Sequence, residues 1–76
     1  MSKKLSELRP GQKGIIERVN SIDLELKLME MGCLPGEAIS MEQIAPLGDP
    51  VSVQVSGYRL SLRMDEAQYI LVDIID

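Results

Sequence analysis

Val51, Val53 and Val55 alternate with Ser52, Gln54 and Ser56, and past Gly57 the alternation resumes as Tyr58, Leu60 and Leu62 against Arg59, Ser61 and Arg63. A period of two over such a length belongs to strands with one buried and one wet face. The two runs meet at Ser56-Gly57, a dipeptide suited to a two-residue hairpin turn, with Gly57 free to take a positive φ. A hairpin leaves strand edges that something must pair or cover. The chain has 76 residues to do so, room for one domain spanning 1–76. Upstream, Pro46-Leu47-Gly48-Asp49-Pro50 reads as the reversal into the hairpin. Gly48 supplies a positive φ there, and Pro46 and Pro50 end the neighbouring ladder.

The rest of the chain is punctuated in the same way. Pro10-Gly11, within Arg9-Pro10-Gly11-Gln12, fits a type II turn and leads into a strand over 14–20 with Ile15 and Val19 facing inward. Pro35-Gly36 repeats that chemistry and leads into a second strand over 37–45. Its phase is open, with Ala38 inward and Ile39 or Met41 as its companion. The two Pro-Gly units are a weak echo of one another, and no long repeat exists. Residues 64–68 allow one helical turn, and 69–75 form a closing strand that is apolar on nearly both sides. Five short strands with one helix between the first and second predict a mainly β fold, a small barrel whose closure removes edges.

That helix begins at Asn20 or Ser21, either of which can cap it, with Asp23 and Glu25 at its positive end. Gly32 ends it in the position that favours a left-handed residue, and Cys33 packs back on the last turn. At about 100° per residue, two apolar stripes emerge. Ile22, Leu26 and Met29 fall together, and Leu24, Leu28 and Met31 fall nearly opposite. One stripe must face the core. The other is covered by another segment or open to a partner. Folding an 8.4 kDa chain buries only about 60% of its surface, so a solvent-facing apolar stripe needs a reason.

Charge and composition exclude several functions. The net charge is −4 with a pI near 4.7, opposite to what phosphate binding requires. Tyr58 and Tyr69 are the only rings on which a base could stack. Nucleic acid is not an expected partner. One cysteine forms no internal disulfide and suits a reducing compartment. The first residues lack the apolar core of a signal peptide, and residues 69–75 are too few to insert in a bilayer. A cytoplasmic location is expected. Without histidine, the usual general base near neutral pH is missing. The glycines lack phosphate-loop spacing. Cys33 reads as a buried apolar residue, so neither enzyme activity nor a cofactor is expected. Glu42, Asp49, Asp65 and Glu66 read as solvated carboxylates rather than metal ligands, and Met29, Met31 and Met41 as core filling.

Taken together, "LMEMGCLPGE" and "APLGDPVSVQVSGYRLSLRMDEAQYILV", with "LRPGQKGIIERV" ahead of them, resemble the FeoA family of bacterial ferrous iron uptake. The resemblance covers nearly the whole chain. It implies an SH3-like β-barrel and a cytoplasmic accessory of FeoB, a membrane transporter with a GTP-binding domain, acting by protein contact. It also implies that Leu24, Leu28 and Met31 point inward, leaving Ile22, Leu26 and Met29 as a surface for FeoB or for weak self-association. Arg59 and Arg63, on the polar face of one strand, are a second candidate contact. The alternative is a small iron carrier or sensor related to the SH3-like domain of iron-dependent repressors, with Glu30, Glu42 or Asp65 as ligands. Pro10, Gly11, Gly32, Pro35, Gly36, Pro46, Gly48, Asp49, Pro50 and Gly57 are expected to act as structural turns. One departure stands out. Residues 23–30 carry acidic side chains where the family often has basic ones, and only Lys27 is retained.

Overall fold

A computed structural model describes residues 2–75. Its elements are β1 (Ser2–Lys4), a 3-10 turn (Leu5–Glu7), β2 (Lys13–Val19), α1 (Ile22–Glu30), β3 (Ala38–Ile44), β4 (Val51–Val55), β5 (Tyr58–Leu62), α2 (Met64–Ala67) and β6 (Ile70–Ile74). The strands form one antiparallel sheet in the order β1-β6-β2-β3-β4-β5. The mainly β, barrel-like fold expected from the sequence is present with a sixth strand, but its strands do not close the ring: β1 and β5 remain as edges. Three polar residues, Ser2–Lys4, pair with Leu71–Asp73 of β6, and no apolar period announces them. The helix therefore follows the second strand rather than the first. The strand over 70–74 lies between β1 and β2, with Ile70 and Val72 buried and Leu71 and Ile74 half-buried.

The core consists of Leu5, Leu8, Ile16, Val19, Leu24, Leu28, Cys33, Ile39, Met41, Val51, Val53, Val55, Leu62, Ala67, Ile70 and Val72. Two inward assignments change. In β2, Gly14 and Ile16 face the interior and Ile15 lies half-buried on the other face; in β3, Ile39 and Met41 are buried and Ala38 is exposed. The cause is a β-bulge in each strand, between Ile16 and Arg18 and between Met41 and Gln43. The extra residue reverses the phase, so Val19 still turns inward. A strict alternation read back from Val19 selects the wrong isoleucine.

The echo between the two Pro-Gly turns is a local two-fold in three dimensions. Pro10-Gly11 and Pro35-Gly36 each make a type II turn, with Gly11 at φ 94° and Gly36 at φ 96° and closing bonds Gln12 N to Arg9 O at 3.0 Å and Glu37 N to Leu34 O at 3.0 Å. Gly11 N donates to Met41 O and Met41 N to Gln12 O; likewise Gly36 N donates to Ile16 O and Ile16 N to Glu37 O. Each turn is therefore stitched to the strand that follows the other. The pairs Lys13–Ser40, Gly14–Ile39 and Ile15–Ala38 place the axis between Gly14 and Ile39.

The remaining turns behave as their residues require. Gly48 takes φ 90°, and its N–H donates to Ala45 O at 2.7 Å. Pro50 follows a cis peptide bond. Ser56 and Gly57 both have positive φ, giving a two-residue turn closed by the pair Val55–Tyr58. Asp49 adds a role that the sequence did not announce. Its Oδ1 accepts from the N–H of Met64 at 3.0 Å, capping the start of α2.

Candidate functional site

Ser21 caps α1, its hydroxyl accepting from Leu24 N at a long 3.4 Å. The helix ends as Gly32 predicts: Cys33 N donates to Leu28 O and Gly32 N to Met29 O, the paired bonds of a Schellman motif, with Gly32 at φ 80°. Leu24 and Leu28 are buried, and Met31, the last-turn residue, packs half-buried against the core. Ile22, Leu26 and Met29 face solvent at 77%, 56% and 50% exposure. The stripe that the family resemblance placed outward is uncovered along its whole length, about 10 Å at 1.5 Å per residue.

At its C-terminal end this stripe runs into a second feature. Met29, Glu30, Met31 and Gly32 line an open groove whose far wall is Tyr58 and Leu60 of β5. The structure thus brings Met29 to β5 and leaves Ile22 at the opposite end of the helix. Arg59 lies on the other face of β5 with a long contact to Glu42 at 3.5 Å, worth little in water. Arg63 lies just past the strand at the start of α2. The alternation of β5 puts Arg59 and Ser61 on the face opposite the apolar groove.

The sequence reading missed the exposure of Tyr58, Leu60 and Leu47. The hairpin alternation put Leu60 and Leu62 in the barrel; Leu62 is buried there, whereas Leu60 is half-buried and Tyr58, in phase with them on the outermost strand, is exposed. Leu47 is 97% exposed at the tip of the loop before β4. Its only signal was an apolar residue inside turn chemistry.

Burial, with a smaller contribution from Glu37, pushes the Cys33 thiol up, so it is a poor nucleophile. Glu66 is held below its ordinary value, first by the hydrogen bond from Arg63 N at 3.0 Å and then by Lys27 at 3.3 Å. Glu30, Glu42 and Asp65 line three different grooves. Among the described residues, no group of three or more carboxylate or thiol side chains is placed to hold a metal ion. No helix among them is long and apolar enough to cross a membrane.

The model of the FeoA domain matches residues 3–74. The chain belongs to the FeoA domain family. The family is involved in ferrous iron transport. Over 73 residues the chain is 40% identical to a Fe(2+) transport protein A/Fe(2+) transporter FeoB fusion protein of Porphyromonas gingivalis, a match covering 95% of this chain and 9% of that one. The chain therefore corresponds to under a tenth of that relative. Among solved structures, a FeoA protein from Chlorobium tepidum superposes with TM-score 0.92 at 35% identity, covering 97% of this chain and 71% of that one. A Stenotrophomonas maltophilia FeoA complexed with zinc, described as a prokaryotic SH3 domain protein, gives TM-score 0.80 at 33% identity, covering 96% of this chain and 89% of that one. The FeoA fold seen here is the SH3-like barrel.

Proposed function

We propose that this FeoA-family chain is a cytoplasmic accessory of ferrous iron uptake that acts by docking on the GTP-binding domain of a FeoB-type transporter. The observation that carries this reading is the Porphyromonas gingivalis relative, in which a FeoA part and a FeoB part share one polypeptide. Tethering raises the effective concentration of one part beside the other, which favours an otherwise weak contact. On this chain the surface suited to such a contact is the α1 stripe of Ile22, Leu26 and Met29, which leaves apolar area in water on a small domain. Arg59, on the opposite face of β5, and Arg63, just past that strand, are a second candidate contact rather than part of this stripe.

The test is an anaerobic titration of the chain with the matching FeoB GTP-binding domain, with and without nucleotide, and separately with Fe(II). Saturable binding to the domain is expected. Leu26→Ser and Met29→Ser should each weaken it about tenfold or more. Both side chains are exposed, so the unfolding free energy should stay within about 0.5 kcal/mol. Equal affinity for wild type and both variants would remove the stripe from the contact. Stoichiometric Fe(II) binding with no binding to the domain would replace docking by an iron carrier or sensor.

A further inference from the structure

The two edges of the sheet are built differently. β1 has three residues, two of them Lys3 and Lys4, and a short, charged edge resists pairing with another strand. β5 has five residues with no proline or bulge, and it is the last strand of the sheet. The two-residue turn at Ser56-Gly57 makes Val55–Tyr58 a hydrogen-bonded pair, so Val53–Leu60 and Val51–Leu62 are hydrogen-bonded pairs as well. Arg59 and Ser61 fall in the intervening positions. Their backbone N–H and C=O groups therefore point away from β4 toward the open side of the sheet.

Side chains on the two faces of this edge differ in chemistry. On one face, Tyr58 and Leu60 form a wall of the groove shared with Met29 and Met31. On the other, Arg59 projects beside Ser61, with Arg63 one step beyond. A strand laid against β5 would alternate its side chains between these two environments. Apolar residues would enter the groove against Leu60 and Met29, and residues opposite Arg59 and Arg63 would be acidic for charge complementarity. Glu42 reaches Arg59 only at 3.5 Å from the polar face, leaving that guanidinium free to exchange partners.

We propose that the β5 edge binds an extended peptide segment with alternating apolar and acidic residues, which adds to the sheet as a seventh strand through the backbone of Arg59 and Ser61. This rests on the docking reading above and assigns the contact a backbone component that the α1 stripe alone lacks. Peptide addition would also complete the burial of Leu60, which the barrel leaves half done.

The test uses a labelled heptapeptide of alternating valine and glutamate, its lysine counterpart, and the FeoB GTP-binding domain, each titrated against the full chain. Ser61→Pro removes the outward N–H and leaves the ladder to β4 intact, because that N–H does not point at β4. The glutamate peptide should bind saturably, more tightly than the lysine peptide, and Ser61→Pro should weaken it about tenfold or more while Ser61→Ala does not. Arg59→Glu with Arg63→Glu should reverse the preference between the two peptides, a readout that survives if the proline variant folds poorly. Absence of glutamate-peptide binding, or equal binding by folded Ser61→Pro, overturns strand addition. A wild-type chain that dimerises through β5, with the peptide unable to compete, overturns it in favour of a second copy. If the FeoB domain binds wild type and folded Ser61→Pro alike, strand addition fails and docking stands. If the FeoB domain binds neither, docking itself fails.

Discussion

Residues 9–19 and 34–44 share one backbone design: a Pro-Gly turn, a strand with a bulge at its fourth and fifth residues, and a reciprocal pair of hydrogen bonds to the other unit. Their side chains differ where the two-fold axis passes. Gly14 and Ile39 occupy equivalent places and face one another across the sheet. Gly14 has no room for a methyl group, since a Cβ there would lie 2.2 Å from Val72 Cγ1 and 2.7 Å from Asp73 O. Ile39 fills the corresponding space with a full buried side chain. The continuations differ too. The first unit runs into α1 and its uncovered stripe, and the second runs into the loop and hairpin that end at the β5 edge. The hydrogen-bond frame is thus repeated, while packing and function are assigned to opposite ends of it.

The sharpest way to break that asymmetry is at the axis. Gly14→Ala should cost about 3 kcal/mol or more in denaturant unfolding, because backbone as well as side chain must move. Ile39→Ala should cost about 2–4 kcal/mol by leaving a cavity. Comparable, small losses at both positions would mean that the axis is not tightly packed.

The turns test the symmetric part. A Cβ at Gly11 or at Gly36 meets nothing within 4 Å, so only the positive φ opposes alanine. Gly11→Ala and Gly36→Ala should each cost about 1–2 kcal/mol and should agree with each other. Clearly unequal values would show that the two stitched turns are not equivalent.

The continuations are tested by their caps. Asp49, in the segment after the second unit, accepts from Met64 N at 3.0 Å, whereas Ser21, after the first, accepts from Leu24 N at 3.4 Å. Asp49→Ala should cost about 1 kcal/mol and Ser21→Ala less. The reverse order would make the longer bond the more important one.

The smallest effect lies where the two continuations meet, at Lys27 and Glu66. The folded-state value of Glu66 is lowered, first by the Arg63 backbone hydrogen bond. Its contribution is therefore present above the ordinary carboxylate value and lost as pH falls through the lowered one. Most of Glu66 Oε chemistry is solvent-screened, so Glu66→Gln should flatten the acid limb of the stability profile by under about 1 kcal/mol. A larger change would show that the pair is less screened than its exposure implies.

Much of this was legible in the sequence because turn chemistry and helix periodicity are local. Gly32 and the Asn20-Ser21 pair marked the ends of α1 and its period marked two apolar stripes, while the outward place of Ile22, Leu26 and Met29 came from the family resemblance. The β4–β5 turn was legible for the same reason. What was not legible depended on partners distant in sequence. The bulges inverted the inward residues of β2 and β3, and a bulge leaves no mark on composition. Ser2–Lys4 became a strand only because Leu71–Asp73 offers it an edge. The groove at Tyr58 and Leu60 exists because the end of α1 stands opposite β5, a juxtaposition the alternation of one hairpin cannot contain.

The most direct measurement of the docking account is a titration of the isotopically labelled chain with the FeoB GTP-binding domain, followed by amide chemical shifts. Shifts should concentrate at Ile22, Leu26 and Met29 and along Tyr58–Leu62, leaving Ser2–Lys4 at the opposite edge unmoved. Shifts confined to β1 and β6, or no shift at a saturating concentration of the domain, would contradict the account.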